Sequence, residues 1–149
     1  IEFAVLNLKV SRIIVCGHSH CGGIRALYEE VNPQAKNLIA WLELGREAML
    51  PVQVTEEALR RTEQRAVVLQ LERLMGYPMV RAQVEAGLMT LHGWHYVIED
   101  GEIHVFDVHS GQFIPASVAS HSGHGPYVEH LSEPMFNEID SAYNTQSKP

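Results

Sequence analysis

The chain has 149 residues, of which 46% are hydrophobic and 19% charged, with two cysteines among them. That length builds a core without staples, so a disulfide scaffold, a disordered polymer and a fibre are excluded, and no apolar run approaches the roughly 18 residues of a spanning helix. The net charge of −7 lies in the last third: residues 1–98 hold ten acidic and ten basic side chains, residues 99–149 eight acidic ones against Lys148 alone.

Without a basic stripe to release counterions, neither nucleic acid nor an anionic membrane surface is an expected partner. Cys16 and Cys21 are too few and too close for a secreted framework, which points to a reducing compartment. The chain opens Ile1-Glu2-Phe3 with no Met and no basic leader. The start of the gene product is therefore expected upstream, and no targeting segment can be read.

Phe3, Leu6 and Val10 stand at helical spacing, and residues 12–16 (R-I-I-V-C) then read as a short, fully buried strand. Residues 17–23 (G-H-S-H-C-G-G) form a turn into a helix near Ile24, which puts their side chains at the carboxyl end of a strand, where open α/β sheets bind ligands. Leu38, Trp41, Leu42 and Met49 predict a helix over 35–50, stopped by Pro51. Thr55 caps the next, with Glu56 and Glu57 in its first turn, Val67, Leu71 and Leu74 on one face, and Gly76 with Pro78 to end it. Pro78 opens a short helix to about residue 86, closed by Gly87.

Strands over 94–98 and 103–107 flank Asp100-Gly101, a hairpin pair. Residues 117–149 read as an irregular, acidic surface tail with at most a short helix near Glu138, and no repeat or linker divides the chain. One domain over 1–149 is expected.

His18-x-x-Cys21 offers an imidazole and a thiolate at a spacing that a tight turn can converge on zinc, half of a ligand set. The same residues also suit a plain reading, with Cys21 a small buried apolar residue and His18 a satisfied turn histidine. Cys16 reads as core, and His20 as pointing away from the site that His18 and Cys21 face. Gly17-x-x-x-x-Gly22 imitates a phosphate loop but has Gly23 and Ile24 where Lys and Ser or Thr are required. His92-x-x-His95 and His121-x-x-His124 read as surface or partly buried histidines, and no Gly-x-Ser-x-Gly occurs.

The run I-E-F-A-V-L-N-L-K-V-S-R-I-I-V-C-G-H-S-H-C-G-G-I strongly resembles the central segment of the β-class carbonic anhydrases. The likeness extends through residues 37–42, through 64–80 with Gly76-Tyr77-Pro78, and through Leu91-His92-Gly93-Trp94 to the Asp100-Gly101 hairpin. It implies an α/β fold: a mainly parallel β-sheet flanked by helices, with a C-terminal antiparallel hairpin extension. It implies that His18 and Cys21 are two ligands of a catalytic zinc, that the backbone N–H of Gly22 faces the zinc-bound oxygen or bicarbonate, and that Phe3, where plant-type members commonly carry Tyr, walls the substrate pocket. A zinc with an open position acidifies bound water, so the implied reaction is reversible hydration of CO2 to bicarbonate.

Homodimers or higher homo-oligomers, in the cytoplasm or in an organelle or microcompartment lumen, are likewise implied. The family's first zinc Cys, with Asp and Arg two and four residues after it, has no counterpart in these 149 residues. Cys16 cannot replace it, because no Cys-x-Asp-x-Arg follows. Two expectations stand: a partial zinc enzyme, or an inactive family member serving as a binding or scaffold subunit.

Overall fold

The computed structural model describes residues 1–119. Four strands form one sheet in the order β1 (Arg12–His18), β2 (Thr90–Val97), β3 (Glu102–Asp107), β4 (Gln112–Pro115). β1 pairs parallel with β2, from Arg12 beside Thr90 to His18 beside Tyr96, and the other two pairings are antiparallel. The α/β class expected from the sequence is present, with a mixed sheet whose parallel part, among the described residues, is the β1–β2 pair.

The hairpin forms as read: Gly101 takes φ +66°, a left-handed conformation that glycine adopts without a Cβ penalty, and β2 and β3 flank it. β2 begins earlier than expected, at Thr90. β4 was not anticipated at all, although Gly111 at φ +67° is the turn that returns the chain to β3.

The helices are α1 (Gly22–Ala26), α2 (Lys36–Leu42), α3 (Glu56–Met75) and α4 (Pro78–Glu85), with a π-helical turn at Phe3–Asn7 and a 3₁₀ segment at Glu43–Ala48. The single helix expected over 35–50 thus divides at Glu43, before Gly45, a residue that weakens a helix interior. α3 keeps its expected ends: Thr55 Oγ1 accepts from Ala58 N at 3.1 Å, and Pro78 opens α4.

β2 shows why α3 lies where it does. Leu91, Gly93, His95 and Val97 are buried, while Thr90, His92 and Trp94 are half-buried and Tyr96 is exposed. α3 crosses the buried face over two glycines. A Cβ at Gly17 would stand 2.7 Å from Val67 Cγ2, and one at Gly93 would stand 3.1 Å from both Leu71 Cδ1 and Val67 Cγ1. Below this contact Leu71, Leu74, Val80, Val84, Met89 and Leu91 close the core with Val5.

β1 departs from its expected burial. Ile13, Val15 and Gly17 are half-buried toward α3, whereas Ile14, Cys16 and His18 are exposed on the other face. Cys16 is therefore a surface thiol and not core. Strand side chains alternate, α3 covers one face, and β1 is the edge of the described sheet.

Candidate active site

The turn after β1 is held from two sides. Ser19, 1% exposed, receives an N–H from Ile98 at its Oγ (2.9 Å), gives its own N–H to Tyr96 O (2.9 Å), and donates its hydroxyl to Glu99 Oε2 (2.6 Å). From α3, Glu63 accepts the backbone N–H of Cys21 at Oε1 (2.9 Å). The loop is thus fixed by groups 42 to 80 residues away in sequence.

A cleft of about 250 Å³ opens beside it, lined among others by Cys21, His20, Arg25, Arg60, Glu63 and Glu99. Glu99 is the electrostatic hub. Its carboxylate takes the Ser19 hydroxyl, His20 Nε2 at 2.8 Å and Arg60 Nη2 at 2.8 Å. The Ser19 bond first, then its own backbone N–H and His20, hold its pKa down to about 2. Arg25 pairs with Glu56 at 2.8 Å, which lowers the Glu56 carboxyl and raises the guanidinium.

His20 sits at φ +56° and lines the cleft with Cys21, its Nε2 2.8 Å from Glu99 and its Nδ1 3.9 Å from Glu56. His18 ends β1 on the exposed face, with Nδ1 2.9 Å from Ser19 O, and is not a lining residue of the cleft. Phe3 is 65% exposed on the π-helical turn and likewise lies outside that lining. At Gly22 a Cβ would meet nothing within 4 Å, so the start of α1 is open to approach. Gly23 is covered instead: the Trp41 ring lies 2.9 Å from where its Cβ would be, with Cys21 Sγ at 3.7 Å.

His92 and His95, three residues apart on one strand, fall on opposite faces. His92 Nε2 bonds Thr90 Oγ1 at 2.8 Å, and His95 is fully buried on Glu63, so they form no joint site. His121 and His124, and the acidic tail beyond Ala119, lie outside the described residues. Glu63, Glu99 and Arg60 carry no signal in the sequence, and His95, which reads there as a surface or partly buried histidine, is fully buried. Each acts through a partner 32 or more residues away, and no local spacing signals such a contact.

Protein-bound zinc takes three or four nitrogen, sulfur or oxygen donors. Among the described residues no group of three or more His, Cys, Asp or Glu side chains is placed to hold a metal ion. Cys21 and His18 fit zinc in kind, as thiol and imidazole, but not in number.

A carbonic anhydrase family profile matches residues 1–103, which take in the turn, the cleft and β2 with its Asp100-Gly101 turn. The chain belongs to the β-class carbonic anhydrase family. It is 34% identical over 122 residues to carbonic anhydrase 1 of Escherichia coli O157:H7, covering 77% of this chain and 55% of that protein. It is 35% identical over 127 residues to a carbonic anhydrase of Pseudomonas aeruginosa, covering 81% and 57%. Among solved structures, the β-carbonic anhydrase CcaA superposes with a TM-score of 0.70 at 30% identity, over 76% of this chain and 59% of that one. A β-carbonic anhydrase of Sordaria macrospora, one of two described as tetrameric, gives 0.62 at 27% identity, over 70% and 56%. The chain spans about half the length of the curated relatives it matches. No helix among the described residues is long and apolar enough to cross a membrane.

Proposed function

We propose that this chain carries part of the active site of a zinc-dependent carbonic anhydrase, catalysing reversible hydration of CO2 to bicarbonate and a proton. The observation that supports this reading most is the His18-x-x-Cys21 turn at the carboxyl end of β1, inside the span matched by the family profile. Zinc, when bound, supplies a Lewis acid and turns water into a nucleophile for CO2 at neutral pH. The residues of this chain supply the surroundings: His18 and Cys21 as two of the ligands, the Gly22 N–H as donor to bicarbonate, and Phe3 as an apolar wall. The remaining donors come from outside the described residues, and the assembled protein is a homodimer or higher homo-oligomer of the cytoplasm or an organelle lumen.

The competing reading is an inactive family member used as a binding or scaffold subunit. Mass spectrometry of the native protein with metal retained, together with CO2 hydration rates, separates the two. Stoichiometric zinc and turnover lost on Cys21→Ser support the enzyme. A Cys21→Ser protein with undiminished turnover refutes the ligand role.

A further inference from the structure

Two buried groups, Glu63 in the lining of the cleft and His95, which is not in that lining, have no part in the ligand set. Glu63 on α3 is 4% exposed and His95 on β2 is 0% exposed, with His95 Nε2 3.1 Å from Glu63 Oε2. The other oxygen, Oε1, accepts the Cys21 N–H at 2.9 Å. The carboxylate therefore joins a core histidine to the backbone of a residue in the cleft.

Burying a carboxylate and an imidazole is costly unless each is fully paired, and an apolar pair of the same volume would serve packing better. His95 is not even fully paired: its Nδ1 is buried without a partner among the described residues. Its ring packs T-shaped against Phe113, with centroids 6.2 Å apart and planes at 72°. With a carboxylate on Nε2, that nitrogen is the donor, and Glu63 is the one polar group the ring serves. Glu63 in turn has little room to move. α3 presses on β1 at Gly17, where a Cβ would lie 3.6 Å from Glu63 O and 2.7 Å from Val67 Cγ2.

We infer that Glu63 and His95 are a positioning pair for the Cys21 thiol. Glu63 fixes the Cys21 amide, His95 fixes Glu63, and together they set the direction in which the Cys21 side chain leaves the backbone. The inference rests on the proposed ligand role of Cys21 for its metal readout only; the effect on the Cys21 backbone is independent of it.

The test is amide hydrogen exchange at Cys21 in the native protein, with Leu71 and Val97 as core controls, followed by addition of cobalt(II) alone. Removing a buried, charge-assisted hydrogen bond accelerates local exchange by about tenfold or more. Glu63→Leu, which keeps bulk but no acceptor, is expected to show that acceleration at Cys21 with the controls unchanged, and Glu63→Gln, which keeps an oxygen, to remain within about threefold of the parent. His95→Phe does not touch Cys21, yet is expected to accelerate its exchange several-fold by releasing Glu63. Thiolate-to-cobalt absorption per cobalt falls in Glu63→Leu and His95→Phe and is retained in Glu63→Gln. Exchange at Cys21 unchanged in both Glu63→Leu and His95→Phe overturns the inference; should Glu63→Leu not fold, His95→Phe decides alone. If the parent itself shows no thiolate-to-cobalt absorption, the ligand role of Cys21 fails, and the exchange rates still judge the pair.

Discussion

The Ser19 hydroxyl donates to Glu99 Oε2 at 2.6 Å while accepting the Ile98 N–H at 2.9 Å, so one buried oxygen ties the turn after β1 to the end of β2. The pH consequence has a definite sign. Glu99 is held at about 2, below its ordinary 4.5, so the stability it contributes is fully present above pH 4.5 and is lost as pH falls toward 2. Glu99→Gln removes that dependence. Chemical denaturation at a series of acid pH values is expected to give a shallower loss of stability for the variant across this window; equal slopes would show that the Ser19 bond does not hold the carboxyl down.

Gly17 and Gly22 make a contrasting pair. Gly17→Ala drives a methyl to 2.7 Å from Val67 Cγ2 and is expected to destabilise by about 1 to 3 kcal/mol. Gly22→Ala meets open space and is expected to stay within about 0.5 kcal/mol. A Gly17→Ala/Val67→Ala double variant tests the cause. Its cost is expected to fall short of the sum of the two single costs, because Val67→Ala removes the colliding methyl.

The two thiols are expected to differ in reactivity. Cys16 is exposed on the open face of β1, whereas Cys21 is partly buried and held through its amide. Brief labelling with a small alkylating reagent, mapped by peptide mass, should modify Cys16 first. Cys16→Ser should leave the proposed CO2 hydration unaffected. Preferential labelling of Cys21 would contradict the burial described here.

β1 also carries an unpaired edge among the described residues, with Ile14, 45% exposed, on its open face. Such an edge recruits another strand. Residues 1–149 produced alone are expected to self-associate, with Ile14→Lys reducing association in sedimentation velocity. A monodisperse, cooperatively unfolding monomer would exclude this.

Much of the frame was legible because its signals are local. Thr55 with Glu56 and Glu57, Pro78, and Asp100-Gly101 each carry their own backbone preference, and each marks the boundary it was read to mark. The buried strand was misjudged because R-I-I-V-C records apolarity, not how many faces have a neighbour. Cys16 belongs to the face that α3 leaves uncovered. The cleft was the least legible part: His20 meets Glu99 and Glu56, and Cys21 is held by Glu63, contacts that spacing within the 17–23 turn does not encode. β4 was missed although Gly111 marked its turn, because four residues ending in Pro115 give too short a pattern to read.

The long reach of the Ser19 contacts governs when this site comes into being. The turn is made before its restraints, which arrive with Glu63 and then with Ile98 and Glu99, and β1 itself pairs with a strand that starts at Thr90. Contacts of high sequence separation pay their loop-closure entropy before they return any stabilisation, so they form late in folding. The His18–Cys21 turn is therefore expected to acquire its geometry only as the hairpin closes. In a pulse-labelled refolding experiment, protection at Cys21 should appear together with that at Val97 and after that of α3. A nascent chain that has not yet exposed residue 99 to solvent would carry its two candidate metal donors on an unrestrained loop, so a metal held by them as proposed would be captured only late in folding.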